Sequence, residues 1–373
     1  MKIGIDARLW DETGVGRYIR NLVWNLQEFD KKNEYVLFVS KVFNEQDLKL
    51  KDERWKIVRT DIRWHTLKEQ LQFPHVLNKE KLDLVHFPYF SVPIFYKGSF
   101  VITIHDLIIN HYPTGKASTL PSPIYYFKLM SYKYIIKSAA QHAQKVIAVS
   151  QATKSEIAKH LGVSESKIAV THEGVERRHK KEIAKDKKIS FPYLLYVGNA
   201  YPHKNLDRLI SAFGQLEREY PDLKLILVGK KNYFYTHLEN KVKGMLLDKR
   251  IIFAGNINDE GLSALYQQAV ALILPSLMEG FGLTGLEAMQ EECLVLASNI
   301  PSLKEIYQDA AIYFDPLAVE SMHATIREVL ENKKKFLPLI EKGKKRVATF
   351  SWEKMAEQTM NIYESCTGVR SDQ

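Results

Sequence analysis

Residues 270–298, VALILPSLMEGFGLTGLEAMQEECLVLAS, read as a buried strand ending at Pro275, a glycine-rich turn, a helix, and a second apolar strand over Val295–Ser298. Short apolar runs bounded by turn residues are the pattern of strands buried on both faces, and a helix between two of them implies a parallel βαβ crossover. The alternation continues outward. Strand patterns lie at Ile251–Gly255, Leu223–Gly229 and Tyr193–Gly198 on one side and Ile312–Phe314 on the other, with helical patterns at Leu206–Glu219, Gly261–Gln268 and Val319–Leu330. A separate series occupies the first half: Lys2–Arg8, Tyr35–Ser40, Lys56–Thr60, Leu84–Phe87, Phe100–His105, Val146–Ser150 and Ile168–Thr171. Two such series predict an α/β chain of two Rossmann-like, doubly wound parallel-sheet domains.

Length agrees with two domains, since 373 residues exceed the roughly 250–300 that one core organises. Hydrophobic residues at 45% and charged residues at 26% exclude a disordered chain. Two cysteines exclude a disulfide scaffold and fit a reducing, cytoplasmic compartment. MKIGIDA at the start lacks the apolar stretch of a signal peptide, and no run approaches the ~18 apolar residues of a spanning helix. The net charge of +9 is unevenly held: residues 1–190 carry 32 Lys+Arg against 21 Asp+Glu, and the remainder 21 against 23. No acid occurs between Asp106 and Glu156, a gap that holds Lys116, Lys128, Lys133, Lys137, Lys145 and Lys154. An anionic partner for the first half is expected. The charged stretch at 177–190, RRHKKEIAKDKKIS, is the natural linker.

Ligands of open α/β sheets bind beyond the carboxyl ends of the strands, so the strand-to-helix loops are where chemistry belongs. Glu279 lies in the glycine-rich turn and Glu287 on the helix that follows, eight residues apart, about 12 Å of helical rise. Carboxylates so spaced accept from hydroxyls of two parts of one elongated ligand, and amides near Phe281–Leu283 face an anion between them. That combination describes a nucleotide sugar. Gly198 gives the exit from another strand, and Lys204 at a helix start opposes the helix dipole unless an anion such as a diphosphate is bound there. His105 ends a strand as either a hydrogen-bond donor to a substrate hydroxyl or a loop histidine satisfied locally. Gly14 and Gly16 precede a helix and allow close backbone approach, but Ile19 stands where a dinucleotide fingerprint requires a third glycine.

Together Lys2–Arg8, Thr13-Gly-Val-Gly-Arg-Tyr18, His105-Asp106, Gly198 with Lys204-Asn205, Glu279-Gly-Phe-Gly-Leu283 with Glu287-Ala-Met289, and Phe350-Ser-Trp352 resemble a retaining glycosyltransferase of family four. The resemblance covers nearly the whole chain. It implies the GT-B fold, with two domains facing across a cleft: residues 1–176 plus about 351–373 bind acceptor, and 191–350 bind the nucleotide sugar. It implies Glu279 on the transferred hexose, Glu287 on the ribose, and the Gly280, Phe281, Gly282 and Leu283 backbone near sugar and phosphate. It further implies Lys204 on the diphosphate, His105 on the hexose, and Gly14, Gly16, Gly198, Asn199 and Asn205 lining the donor. No metal and no cofactor are implied, lysine and helix amides replacing a cation. The final helix would return to the first domain through Trp352, Met355, Met360 and Ile362, and a hinge would close the domains over the donor.

Two departures stand out. Asn199 occupies the place of the family's usual arginine, leaving Arg177 or His203 as substitutes, and Glu292 and Leu294 replace the usual turn glycine and proline. The opening Thr13–Leu22 stretch resembles mannosyl- and rhamnosyl-transferring members that build surface polysaccharide, so GDP-mannose is favoured over UDP-sugars, with a glycan or lipid-linked saccharide as acceptor. Within the acid-free segment, lysines including Lys116, Lys128, Lys133 and Lys137 alternate with Tyr125, Tyr126 and other aromatics, fitting either peripheral attachment to the inner membrane face or packing inside the domain. A nucleotide-sugar epimerase of the same fold and a basic nucleic-acid-binding protein are the rival functions; nucleic acid explains the charge but not the paired glutamates.

Overall fold

The computed structural model describes residues 1–44, 48, 50–113, 122–176 and 188–367. Lys116, Arg177 and most of the expected linker lie outside the described residues. The chain divides into two compact units, one of Met1–Leu107, Leu120–Gly174 and Ser351–Gln373, the other of Ile108–Thr119 and Val175–Phe350.

The first unit contains β1 (Lys2–Asp6), α1 (Gly14–Phe29), β2 (Glu34–Ser40), β3 (Trp55–Thr60), α2 (Leu67–Lys79), β4 (Leu84–Phe87) and β5 (Phe100–Ile104). After α3 (Ile108–His111), which groups with the second unit, it resumes with α4 (Ser122–His142), β6 (Lys145–Ala148), α5 (Gln151–Leu161) and β7 (Ile168–Val170). The sheet order is β3-β2-β1-β4-β5-β6-β7 with every pairing parallel. All residues of β4 and β5 are buried, as a sheet covered on both faces requires.

The second unit holds β8 (Tyr193–Val197), α6 (Leu206–Leu216), β9 (Lys224–Val228), α7 (Tyr233–Gly244), β10 (Ile251–Gly255), α8 (Asp259–Gln268), β11 (Ala271–Leu274) and α9 (Leu283–Gln290). It continues with β12 (Val295–Ser298), α10 (Pro301–Tyr307), β13 (Ile312–Phe314), α11 (Val319–Glu331), α12 (Lys333–Phe336) and α13 (Pro338–Val347). Its order, β10-β9-β8-β11-β12-β13, reverses direction at β8, so the loops after β8 and β11 meet at the topological switch point. On α6, Leu206, Leu209, Ile210, Phe213 and Leu216 repeat at helical spacing and are all buried in the core. Each is worth roughly 1.5–3 kcal/mol of burial.

The last helix, α14 (Trp352–Thr367), packs along α1 in the first unit. Its buried stripe is Trp352, Met355, Ala356, Thr359 and Tyr363; Met360 and Ile362, expected on that face, are half-buried because they sit a quarter-turn away. Tyr363 Oη lies 2.6 Å from His86 Nδ1 on β4. A Cβ on Gly174 would come within 2.1 Å of Trp352 N, so a glycine is required where the chain leaves β7 beneath the start of α14. After α9, Glu292 adopts φ 63°, the left-handed region where the family's glycine is replaced. The turn forms, with Cys293 N donating to Ala288 O at 2.9 Å and Lys344 pairing with the Glu292 carboxylate at 2.9 Å.

Candidate active site

In the second unit the glycine-rich turn is shaped by a tyrosine. Gly282 caps α9 at φ 95°, and its carbonyl accepts from Tyr307 Oη at 2.5 Å and from Gly285 N at 3.1 Å. A Cβ on Gly282 would lie 2.4 Å from Tyr307 Oη and one on Gly285 2.3 Å from it. Glycine serves the first position by its φ and the second by its lack of volume. The first turn of α9 thereby presents its amides at the carboxyl edge of β11, with the helix's partial positive charge.

Glu279 lies four residues ahead of α9, and its Oε1 accepts from Lys204 Nζ at 2.6 Å and Ser276 Oγ at 2.7 Å. Burial works to raise this carboxyl, but the Lys204 ammonium and the Ser276 hydroxyl outweigh it and hold the group below the ordinary carboxylate range. Lys204 reaches the pair from a 3-10 turn, Pro202–Lys204, that precedes α6, so it stands outside the helix rather than at its start. Asn205, left-handed at φ 59°, donates from Nδ2 to Pro275 O at 2.9 Å and Pro316 O at 2.7 Å and accepts from Arg208 Nη1 at 2.9 Å. Both amide protons of its side chain are thus spent on backbone carbonyls. It clamps the Lys204 loop to the strand end that carries Ser276 and Glu279.

Gly198, φ 152°, brings its carbonyl against the Tyr235 hydroxyl at 2.8 Å, and a Cβ on Gly229 would lie 2.0 Å from that carbonyl. Asn199 is exposed and its Oδ1 accepts from Tyr201 N at 3.2 Å. His203 is buried, and burial plus the neighbouring Lys204 lower its ring to about 4, so it is neutral and cannot supply the missing arginine's charge. Glu287, half-buried on α9, receives Tyr266 Oη at 3.4 Å.

In the first unit His105 follows β5, with Nδ1 2.9 Å from Glu173 Oε1 and Nε2 3.0 Å from Pro88 O. Both ring nitrogens are thus engaged by the protein. Gly16 lies in α1, where a Cβ would meet Trp10 O at 2.5 Å and Leu9 O at 2.8 Å. Its smallness admits the chain's own loop rather than a ligand. A Cβ on Gly14 meets nothing within 4 Å, so Gly14 is the glycine that packing does not explain.

Comparison with known proteins shows the family. Residues 176–346 match the family described as Glycosyl transferases group 1, and residues 13–179 match Glycosyltransferase Family 4. The chain belongs to these glycosyltransferases. The enzyme is 28% identical over 381 residues to O-antigen chain mannosyltransferase B of Escherichia coli, with 94% of this chain and 96% of that protein covered. It is 27% identical over 261 residues to O-antigen chain mannosyltransferase RfbU of Salmonella typhimurium, with 70% and 68% covered. Sucrose-phosphate synthase from Thermosynechococcus elongatus superposes with a TM-score of 0.79 at 20% identity, covering 99% of this chain and 100% of that one. That likeness shows the shared GT-B fold of two parallel-sheet domains.

Within each unit the glycosyltransferase brings together residues far apart in sequence. Glu279 and Lys204 meet, as do His105 and Glu173. Glu173, Ser276 and Tyr307 escaped the sequence reading. Ser276, three residues before Glu279, was accessible from spacing; Glu173 and Tyr307 carry no local signal. On α4, Lys128, Lys133 and Lys137 are exposed together with Tyr126, Phe127, Met130 and Tyr134, while Tyr125 is half-buried and Tyr132 turns inward to Phe90, ring centroids 4.7 Å apart. Among the described residues no helix is long and apolar enough to cross a membrane.

Proposed function

We propose that this glycosyltransferase is a retaining, metal-independent hexosyltransferase that moves mannose from GDP-mannose to a hydroxyl of a glycan or lipid-linked saccharide in surface-polysaccharide assembly. The observation that carries the reading is the Lys204–Glu279 pair beside the Gly282 turn. Departure of a nucleoside diphosphate builds negative charge, and a lysine with the amides of α9 is a preorganised acceptor for it. An ammonium has three donors, so Lys204 takes a phosphate oxygen while Glu279 turns its second oxygen to a hexose hydroxyl. Glu287 accepts from the ribose. The mannose assignment rests on what the two O-antigen relatives are named for.

The exposed Lys128, Lys133 and Lys137 among aromatic side chains on α4 suit a cytoplasmic enzyme held at an anionic membrane surface, where Lys and Tyr favour the headgroup boundary. Co-flotation with anionic vesicles at low salt, lost when the three lysines become glutamate, tests this; failure of the native protein to float removes it.

The donor is tested by thermal shift and hydrolysis with GDP-mannose, UDP-glucose, UDP-N-acetylglucosamine and their free nucleotides, each with and without EDTA. A ligand of the folded state raises Tm. Selective stabilisation by the GDP series, indifferent to EDTA, is expected; a response to UDP compounds alone overturns the donor, and no response to any nucleotide overturns the transferase site.

A further inference from the structure

We infer that Glu173 is the positioning residue of His105, and that together with the Pro88 carbonyl it holds His105 as a doubly protonated imidazolium in the working transferase. The inference rests on the reading of His105 as part of the transferase site.

The geometry leaves the ring little choice. A carbonyl oxygen accepts and cannot donate, so the 3.0 Å contact to Pro88 O requires a proton on Nε2. A carboxylate likewise accepts, so the 2.9 Å contact to Glu173 Oε1 requires a proton on Nδ1. One shared proton remains to be placed between imidazole and carboxyl, and imidazole is the more basic by about two pH units in water. The surroundings favour the same placement. Asp106 follows directly in the chain, and its charge supports a cation. The Tyr18 ring on α1 meets the imidazole edge to face, centroids 4.9 Å apart, and Thr153 Oγ1 on α5 donates to His105 O at 3.3 Å. A further titratable neighbour is His86 on β4, buried and bound to Thr103 Oγ1 at 2.8 Å and Tyr363 Oη at 2.6 Å; burial holds it neutral, lowered to about 3. Burial opposes the charge on His105, but the Glu173 contact, Pro88 O and Asp106 prevail and raise it.

Two consequences follow for the reaction. His105 cannot act as a general base, because neither nitrogen has a free lone pair. Its contribution is a fixed positive charge and a fixed ring at the carboxyl end of β5, and both depend on a glutamate 68 residues away.

The test is Glu173→Gln, with Glu173→Asp as the charge-preserving control. Gln withdraws the negative charge and can turn its amide N–H to an unprotonated Nδ1, so His105 gives up its Nδ1 proton to solvent near neutrality while Nε2 keeps its proton on Pro88 O. Transfer by Glu173→Gln is expected to fall roughly tenfold or more at about pH 7.5 and to recover as pH is lowered and the ring regains its proton. The Asp variant should keep the native alkaline limb. Acid recovery is a signature that mere structural damage does not give. Ring ¹⁵N shifts, assigned with a His105→Asn control, should show two protonated nitrogens in the native enzyme and one unprotonated nitrogen in Glu173→Gln at the same pH. An unprotonated nitrogen in the native ring overturns the charge assignment, and an unchanged pH profile in Glu173→Gln overturns the positioning role. If the native protein transfers no sugar from any donor, the transferase reading fails by itself, and the nitrogen shifts still decide the charge of His105.

Discussion

Lys204 Nζ and Glu279 Oε1 lie 2.6 Å apart across 75 residues of sequence, both side chains largely removed from solvent. Lys204 keeps Glu279 charged, and each carries one half of the proposed donor contact. Replacing Lys204 by Ala leaves Glu279 buried without its cation. A cost of about 3 kcal/mol in stability and at least a hundredfold loss in kcat/KM are expected. Chemical denaturation and initial-rate kinetics check both, and a variant with native kcat/KM would remove Lys204 from the site.

Glu279→Ala separates binding from transfer. It deletes the acceptor for the hexose but also frees Lys204 from a competing carboxylate. Transfer should be abolished while the free nucleoside diphosphate binds at least as tightly as before, which calorimetric titration measures. Near-native turnover would sink the assignment.

The Tyr307 hydroxyl holds Gly282 O and fills the space beside Gly285. Tyr307→Phe should cost about 1 kcal/mol, the ordinary worth of such a hydrogen bond, and should raise KM for the donor more than it lowers kcat. Gly282→Ala should be worse, because φ 95° disfavours any side chain and the Cβ meets the tyrosine. Steady-state kinetics on the pair of variants gives the ranking.

Glu292 at φ 63° bears a left-handed conformation that costs a non-glycine residue about 1 kcal/mol. Its ion pair with Lys344 is solvent-accessible on both sides and offsets little of that. Glu292→Gly is expected to raise stability by about 0.5–1 kcal/mol with activity unchanged, as read from denaturant midpoints. Lower stability would show that the carboxylate matters more than the backbone.

Two histidines of the first unit set opposite pH limits. His86, lowered to about 3 from 6.5, excludes a proton that the unfolded chain binds, so stability is complete above pH 6.5 and falls as pH drops below it. His105 is raised, so its contribution is complete below pH 6.5 and is lost as pH climbs through its folded value. A plot of Tm against pH should therefore decline on both sides of a maximum. His86→Asn should flatten the acid side alone, and Glu173→Gln the alkaline side alone.

The sequence by itself determined the two parallel sheets, because strands buried on both faces must be continuously apolar, and that property is local to 3–7 residues. It also singled out Glu279, Glu287 and Lys204 as candidates, because their residue types are conspicuous in strand-to-helix loops. It could not determine who faces whom. Glu173 and His105, Tyr307 and Gly282, and Asn205 with the Pro275 and Pro316 carbonyls are joined only once parallel crossovers bring distant loops to one edge of a sheet. The same holds for Gly14 and Gly16, alike in sequence: only the path of the Leu9–Trp10 backbone shows that Gly16 is filled by the chain itself and Gly14 is left open. Side-chain pairing and available volume are properties of through-space neighbours, and spacing along the chain carries neither.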